Sequence, residues 1–393
     1  MKKKIIIAII ILGVIALLIG IYLAWKKSRQ IVSPGTTLSP LRQLFGGGGG
    51  GGENGNNLSE GNIGDLKNRD TSEQITRKLK VLSDQPIFDY WVYSPNSTSS
   101  VDFYYFNKEG KIYKVKDGDD KAIIKEPLAG LQYIKPQKGG QKVIIKSGSR
   151  TFPNFKIFDI ETKIFESMPA GTTAATWSSD GQNMAYLQTN GGKSDLIIES
   201  ADYSKLEFNK IISFSGRDYD LAWPSAEKIF LIPKPSAFYE TFAWAVDIKD
   251  KTISPAARDS GLMVGWPGNG NAGLKFASRP ERRENSFGLI DKQGLPLADL
   301  YFTSLPNKCF VSEVQLYCGV PVEIPENATL PDDYLKRAVF LNDTIYKIDL
   351  ENNSTLQINP DSEIALDILN PTLNGNQFIF INRFDDKLYG LEL

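Results

Sequence analysis

Cys309 and Cys318 are the only thiols in the 393 residues, and the chain has no histidine. The two cysteines flank Phe-Val-Ser-Glu-Val-Gln-Leu-Tyr, which reads as two short strands joined by a turn around residues 312–314. Partners across such a hairpin come within disulfide range. A bridge suits a location outside the cytoplasm; the alternative is a pair of small apolar core residues. Two thiols with no histidine supply half of a zinc shell, so a zinc site is not expected. Lack of histidine also removes the commonest general base and the usual pH switch. Chemistry would then fall to carboxylates, Lys or Tyr. The pairs Asp119-Asp120, Asp332-Asp333 and Asp385-Asp386 sit in turn contexts, without the acidic ladder of a calcium loop. Glycoside chemistry needs two carboxylates facing across a cleft, an arrangement that linear spacing does not reveal. No catalytic, cofactor-binding or metal-binding residue is expected.

Two segments are candidate contact loops, the alternatives being a solvated loop for the first and plain length variation for the second. One is a charged hairpin tip, Arg279-Pro-Glu-Arg-Arg-Glu, carrying Arg279, Arg282 and Arg283. The other is an insertion over residues 321–337 containing Asp332, Asp333 and Tyr334. Insertions in a repeat map to loops on one face, often the binding face.

The elements that must carry these residues follow from a period of roughly 43 residues. Its markers are Tyr93-Ser-Pro, Ile134-Lys-Pro, Trp177-Ser-Ser-Asp-Gly, Trp223-Pro-Ser, Trp266-Pro-Gly, Cys309-Phe-Val-Ser and Leu369-Asn-Pro. Behind most of them comes an apolar run such as Val143-Ile-Ile or Phe378-Ile-Phe-Ile. A third strand follows, ending in an acid-led hairpin such as Phe158-Asp-Ile-Glu or Ile348-Asp-Leu-Glu. Asp before a polar loop stabilises a tight turn by bonding its own backbone. The period and the short strands predict an all-β, seven-bladed β-propeller over residues 71–393; six blades with one irregular unit is the alternative. The 21 Phe and 16 Tyr against 4 Met suit such a sheet-rich core. Lys387-Leu-Tyr-Gly-Leu-Glu-Leu reads as only a third strand, so residues 75–82 are expected to supply the missing outer strand and close the ring, removing an open edge.

The third copy, Ala175-Thr-Trp-Ser-Ser-Asp-Gly-Gln-Asn-Met-Ala-Tyr-Leu, resembles the Trp-Ser-Pro-Asp-Gly repeat of WD-repeat-like propellers, the family that includes the Tol-associated periplasmic propeller and the propeller domains of prolyl oligopeptidase-type enzymes. Trp177, Asp180, Gly181 and Tyr186 match, and Ser179 stands where proline is usual. The resemblance implies a scaffold that binds peptides or proteins across one face or at the central channel. It implies no reaction, since neither a Gly-x-Ser-x-Gly elbow nor a hydrolase domain after the ring is found. The sialidase-type propeller motif is missing as well.

Ahead of the ring, Ile5 to Trp25 is an apolar run of 21 residues, about 31 Å as a helix and enough to cross a bilayer. Lys2, Lys3 and Lys4 precede it and Lys26, Lys27 and Arg29 follow, so the charge bias nearly cancels. A short basic N-terminus before a single span behaves as a signal-anchor, so residues 1–27 are expected to anchor the chain with the ring outside. Residues 28–70, with seven glycines from Gly46 to Gly52, read as a flexible tether. The 45 basic and 46 acidic residues leave no field for nucleic acid. The expectation is a single-pass membrane protein whose propeller serves as a non-catalytic protein-binding or scaffolding module of the cell envelope. The alternatives are a carboxylate-dependent hydrolase or lyase, or a wall-glycan lectin.

Overall fold

The computed structural model describes residues 73–95, 101–116, 118–201, 208–268, 271–279 and 284–393. The expected anchor and tether, and Arg282 and Arg283, lie outside these. No helix among the described residues is long and apolar enough to cross a membrane.

Two short strands come first, β1 (Glu73–Arg77) and β2 (Leu79–Val81). Blade 1 comprises β3 (Ile87–Tyr93), β4 (Asp102–Asn107), β5 (Ile112–Lys114) and β6 (Lys121–Ile124). Blade 2 follows with β7 (Tyr133–Pro136), β8 (Lys142–Gly148), β9 (Pro153–Asp159) and β10 (Ile164–Ser167). Blade 3 has β11 (Thr172–Trp177), β12 (Asn183–Asn190), β13 (Lys193–Ser200) and β14 (Asn209–Phe214). Blade 4 has β15 (Tyr219–Ala222), β16 (Lys228–Pro233), β17 (Glu240–Asp247) and β18 (Thr252–Ser260). Blade 5 has β19 (Met263–Gly265), β20 (Ala272–Arg279), β21 (Glu284–Asp291) and β22 (Pro296–Leu300). Blade 6 has β23 (Cys309–Ser312), β24 (Gln315–Pro321), β25 (Asp343–Asp349) and β26 (Thr355–Pro360). Blade 7 has β27 (Ile368–Asn374), β28 (Gln377–Asn382) and β29 (Lys387–Glu392). Each blade is an antiparallel sheet in chain order, so the chain forms a seven-bladed β-propeller.

Every period marker ends, follows or lies within the first strand of a blade, and first strands touch between blades 1 and 2, 2 and 3, 3 and 4, and 6 and 7, which places them innermost. Alternating side chains on these strands point to the two flanking interfaces. Trp91 packs towards blade 2 with Val143, Ile145 and Phe158, whereas Tyr90 packs back on Ile379, Ile381 and Leu388 of blade 7. Comparable clusters fill the other interfaces; between blades 4 and 5, Trp266 lies on Phe230 with ring centroids 4.4 Å apart. The motif tryptophans are therefore wedges between blades. Trp177 also ties blade 3 to blade 2 by donating Nε1–H to the Lys135 carbonyl at 2.9 Å.

The acid-led hairpins close as their chemistry dictates. Asp159 Oδ1 accepts from the N–H of Glu161 and Thr162, and Asp349 Oδ1 accepts from those of Glu351 and Asn352. Each is a side chain standing in for a backbone turn.

Ring closure differs in one respect from the sequence expectation of a single outer strand over 75–82. The segment divides at Lys78. β1 adds a fifth strand to blade 6, parallel to β26, with Ile75 opposite Ile358. β2 then becomes the outer strand of blade 7, antiparallel to β29, with Leu79 opposite Leu391. Ile75 and Leu79 both pack on the cluster between blades 6 and 7. The segment thus fastens two blades.

Antiparallel order sends the loops to two faces. First-to-second and third-to-fourth strand loops open on the face called here the turn face. Second-to-third loops and blade connections open on the other, the insertion face.

Candidate functional site

The ring axis holds a cavity of about 380 Å³ walled by inner strands and their flanks. Its lining comes from Asp89, Tyr90, Trp91 and Val92 of blade 1, Ile134, Pro136 and Gln137 of blade 2, Pro267 of blade 5, Pro306, Asn307 and Cys309 of blade 6, and Asn370, Pro371 and Thr372 of blade 7. Four prolines from four blades stiffen this wall, each with φ fixed by its ring.

Two bulges shape the polar part of the wall. Pairing of β3 with β4 slips between Ile87 and Asp89, and that of β27 with β28 slips between Leu369 and Thr372. Bulges re-aim side chains next to functional sites. Asn370 takes the left-handed conformation, φ 49°, which Asn tolerates better than most residues. Across the seam between the first and last blades, Asn370 Nδ2 donates to Asp89 Oδ1 at 3.2 Å, and the Tyr90 N–H donates to the same oxygen at 2.9 Å. Burial pushes the Asp89 carboxyl up to about 6, against the lowering pull of these two bonds and of Lys108. Tyr90 is raised well above its ordinary range by burial and by Asp89, and its hydroxyl lies 2.8 Å from the Asn370 carbonyl and 3.0 Å from that of Ile379. Asp89 is the one carboxylate among the described residues lining the cavity, which include no lysine or arginine.

Gln137 continues from the channel into a second hollow of about 580 Å³ between blades 2 and 3. Gln141, Lys142, Asp180, Gly181, Gln182, Asn183, Ser200 and Ala201 complete its lining. Here the Trp-Ser-Ser-Asp-Gly copy does structural work. Asp180 Oδ1 accepts from Ser178 Oγ at 2.6 Å and from the Gln182 N–H at 2.9 Å, bonds that lower its carboxyl. Gly181, at φ 77°, lets the turn approach blade 2, where Gln137 Nε2 donates to its carbonyl. A Cβ there would come within 3.1 Å of the Gln137 and Lys138 side chains.

The insertion face behaves differently from the sequence expectation. Tyr334 is 1% exposed and Asp332 8% exposed, and both are turned inward rather than offered as contacts. Asp332, in the single helical turn α1 (Asp332–Leu335), accepts from Ser236 Oγ at 3.1 Å and the Ala237 N–H at 2.7 Å in blade 4. Asp333 accepts from the Thr329 N–H within the insertion. Arg337 donates to Asp386 and to the Arg383 carbonyl of blade 7. The insertion therefore reaches from blade 4 to blade 7. Arg279 remains exposed, 3.5 Å from Asp259.

Beneath the insertion lies a buried ionic cluster with no signal in the sequence. Lys308, fully buried, donates to Asp343 Oδ2 and to Asp367 Oδ1, both at 2.5 Å. Arg383 donates to Asp367 Oδ2 at 2.7 Å and lies 3.7 Å from the Tyr334 ring centroid. Burial works against the Lys308 charge, but Asp343 and Asp367 outweigh it and hold the ammonium protonated. Asp343 is pushed up to about 6 by burial, against Lys308, and its Oδ1 has no partner. Two cations and two anions balance, and every partner is locked by packing, which suits an anchor for the insertion better than a reacting centre.

Cys309 and Cys318 face each other in register on β23 and β24 with Cα atoms 4.2 Å apart, and are joined by a disulfide. The acid pairs serve turns and blade contacts: Asp120 accepts from Tyr105, Asp385 accepts from Tyr389, and Asp386 pairs with Lys108 and Arg337. Among the described residues no group of three or more Cys, Asp or Glu is placed to hold a metal ion.

No protein-family model matches the chain, and no curated protein does. Solved structures resemble it in fold. The tricorn protease is 12% identical with a TM-score of 0.46 over 81% of this chain and 34% of its own, so this chain spans about a third of that protein. The β-propeller domain of the trilobed protease from Pyrococcus furiosus is 11% identical, TM-score 0.41, over 64% of this chain and 77% of its own. TolB from Acinetobacter baumannii is 12% identical, TM-score 0.39, over 77% of this chain and 79% of its own.

Proposed function

We propose that the ring is a non-catalytic binding module that receives a segment of a partner protein in its axial channel. The observation that carries this reading is the composition of the channel wall: a stiff, proline-lined cavity in which Asp89 is the one carboxylate among the described lining residues, which include no lysine or arginine. Hydrolysis or elimination by carboxylates needs a paired acid and base, whereas a concave wall with a few placed polar groups suits recognition. Exposed aromatic side chains favour a protein partner: Phe238 and Tyr239 on blade 4, and the stacked pair Phe340 and Phe384 on the insertion and blade 7.

In this proposal the propeller is held outside the cytoplasm by an N-terminal anchor, as a WD-repeat-like scaffold of the cell envelope. The 21-residue apolar run from Ile5 to Trp25 supports the anchor, and the Cys309–Cys318 disulfide supports an oxidising compartment. Photo-cross-linking from the channel wall tests the reading, with Thr372 as the reporting position.

A further inference from the structure

We propose that the channel and the hollow between blades 2 and 3 form one cleft for an extended peptide segment, whose positively charged side chain is placed against Asp89 while the flanking main chain runs outward past Gln137. This rests on the axial-binding reading above and gives it a ligand class.

Three observations carry it. Gln137 lines both cavities, so the axial hollow and the blade 2–blade 3 groove adjoin at that side chain. Among the described lining residues the charge at the inner end has one sign, with Lys108 outside the lining. Both hydrogen bonds to Asp89 fall on Oδ1, from Asn370 and Tyr90, and Oδ2 has no hydrogen-bond partner among the described residues, leaving an acceptor for an ammonium or guanidinium group. At the outer end, Gln141, Gln182 and Asn183 line the groove beside Lys142 and Asp180, with no aromatic side chain among the described lining residues. Side-chain amides carry a donor and an acceptor each, matching the alternating N–H and C=O of a peptide. An extended peptide advances about 3.3–3.6 Å per residue, so a short segment spans the path.

The test uses the full chain in detergent micelles and a phage-displayed library of random dodecapeptides. Enriched peptides are expected to share a lysine or arginine. Their affinity should fall at least tenfold on Asp89→Asn and equally when that lysine is acetylated, with the two losses not adding. Gln182→Trp, an exposed position that fills the groove, should cost at least fivefold. Cooperative melting and an unchanged far-UV spectrum establish that both variants fold. Enriched peptides without a basic residue, affinities indifferent to Asp89→Asn, no enrichment at all, or selective binding of oligosaccharides would each overturn the proposal. Cross-links from Thr372 to a protein together with indifference to Asp89→Asn would overturn this inference and leave axial binding standing.

Discussion

Asn370, in the last blade, donates to Asp89, in the first, across 281 residues of sequence at 3.2 Å. The bond lies on the channel wall at the seam where the ring closes. Closure and the candidate site are therefore one piece of structure, and whatever loosens the seam moves the carboxylate.

Titration of Asp89 follows from its setting. Its carboxyl is raised from 3.8 to about 6 by burial, so the folded ring favours the protonated form more than the unfolded chain does. That contribution to stability is fully present below about pH 3.8 and is lost as pH rises through about 6. The melting-temperature difference between wild type and Asp89→Asn, which cancels the other titrating groups, should favour wild type more at pH 4 than at pH 7. A difference constant across that range contradicts the assignment.

The divided closing segment predicts two distinct truncations. A chain starting at Lys78 loses β1 but keeps β2 on β29, and should melt cooperatively with a modest loss. A chain starting at Ser83 also loses β2, exposes the edge of β29 and should aggregate or melt broadly. Equal behaviour of the two, followed by calorimetry and light scattering, would show that closure does not depend on β2.

Removing one member of the buried cluster leaves a charge stranded. Lys308→Met should cost about 3–5 kcal/mol in chemical denaturation. Neutralising the whole set, with Met at 308 and 383 and Asn at 343 and 367, should cost less than the single change. Asn can still accept from the Ile368 and Leu341 N–H groups that the two aspartates now satisfy.

Replacing Cys309 and Cys318 together by alanine releases a cross-strand link between β23 and β24. The loss should be about 2–3 kcal/mol for so short a loop. Thiol titration of the unfolded, unreduced wild type should find no free thiol.

The period made the ring legible because each inner strand carries a marker residue that wedges or turns at the same place. Trp177, Trp223 and Trp266 are all buried or partly buried against neighbouring strands. The acid-led hairpins were legible because an Asx turn is local. Asp89 was not, since Phe88-Asp-Tyr-Trp reads as ordinary strand and only the bulge and Asn370 set its direction. Lys308 was hidden for the same reason: its partners lie 35 and 59 residues onward, and a lone lysine before a strand gives no sign of burial. The insertion was found, but Tyr334 and Asp332 face inward because blade 4 and the ionic cluster offer them partners that sequence alone does not display.

The most direct measurement is photo-cross-linking in native membranes, with benzoylphenylalanine at Thr372 in the channel and at Ile164, an exposed position on the blade 2 outer hairpin, as control. The account predicts a discrete cross-linked protein species from Thr372 that is absent from Ile164. No cross-linked species from Thr372, or the same species from both positions, would contradict binding at the ring axis.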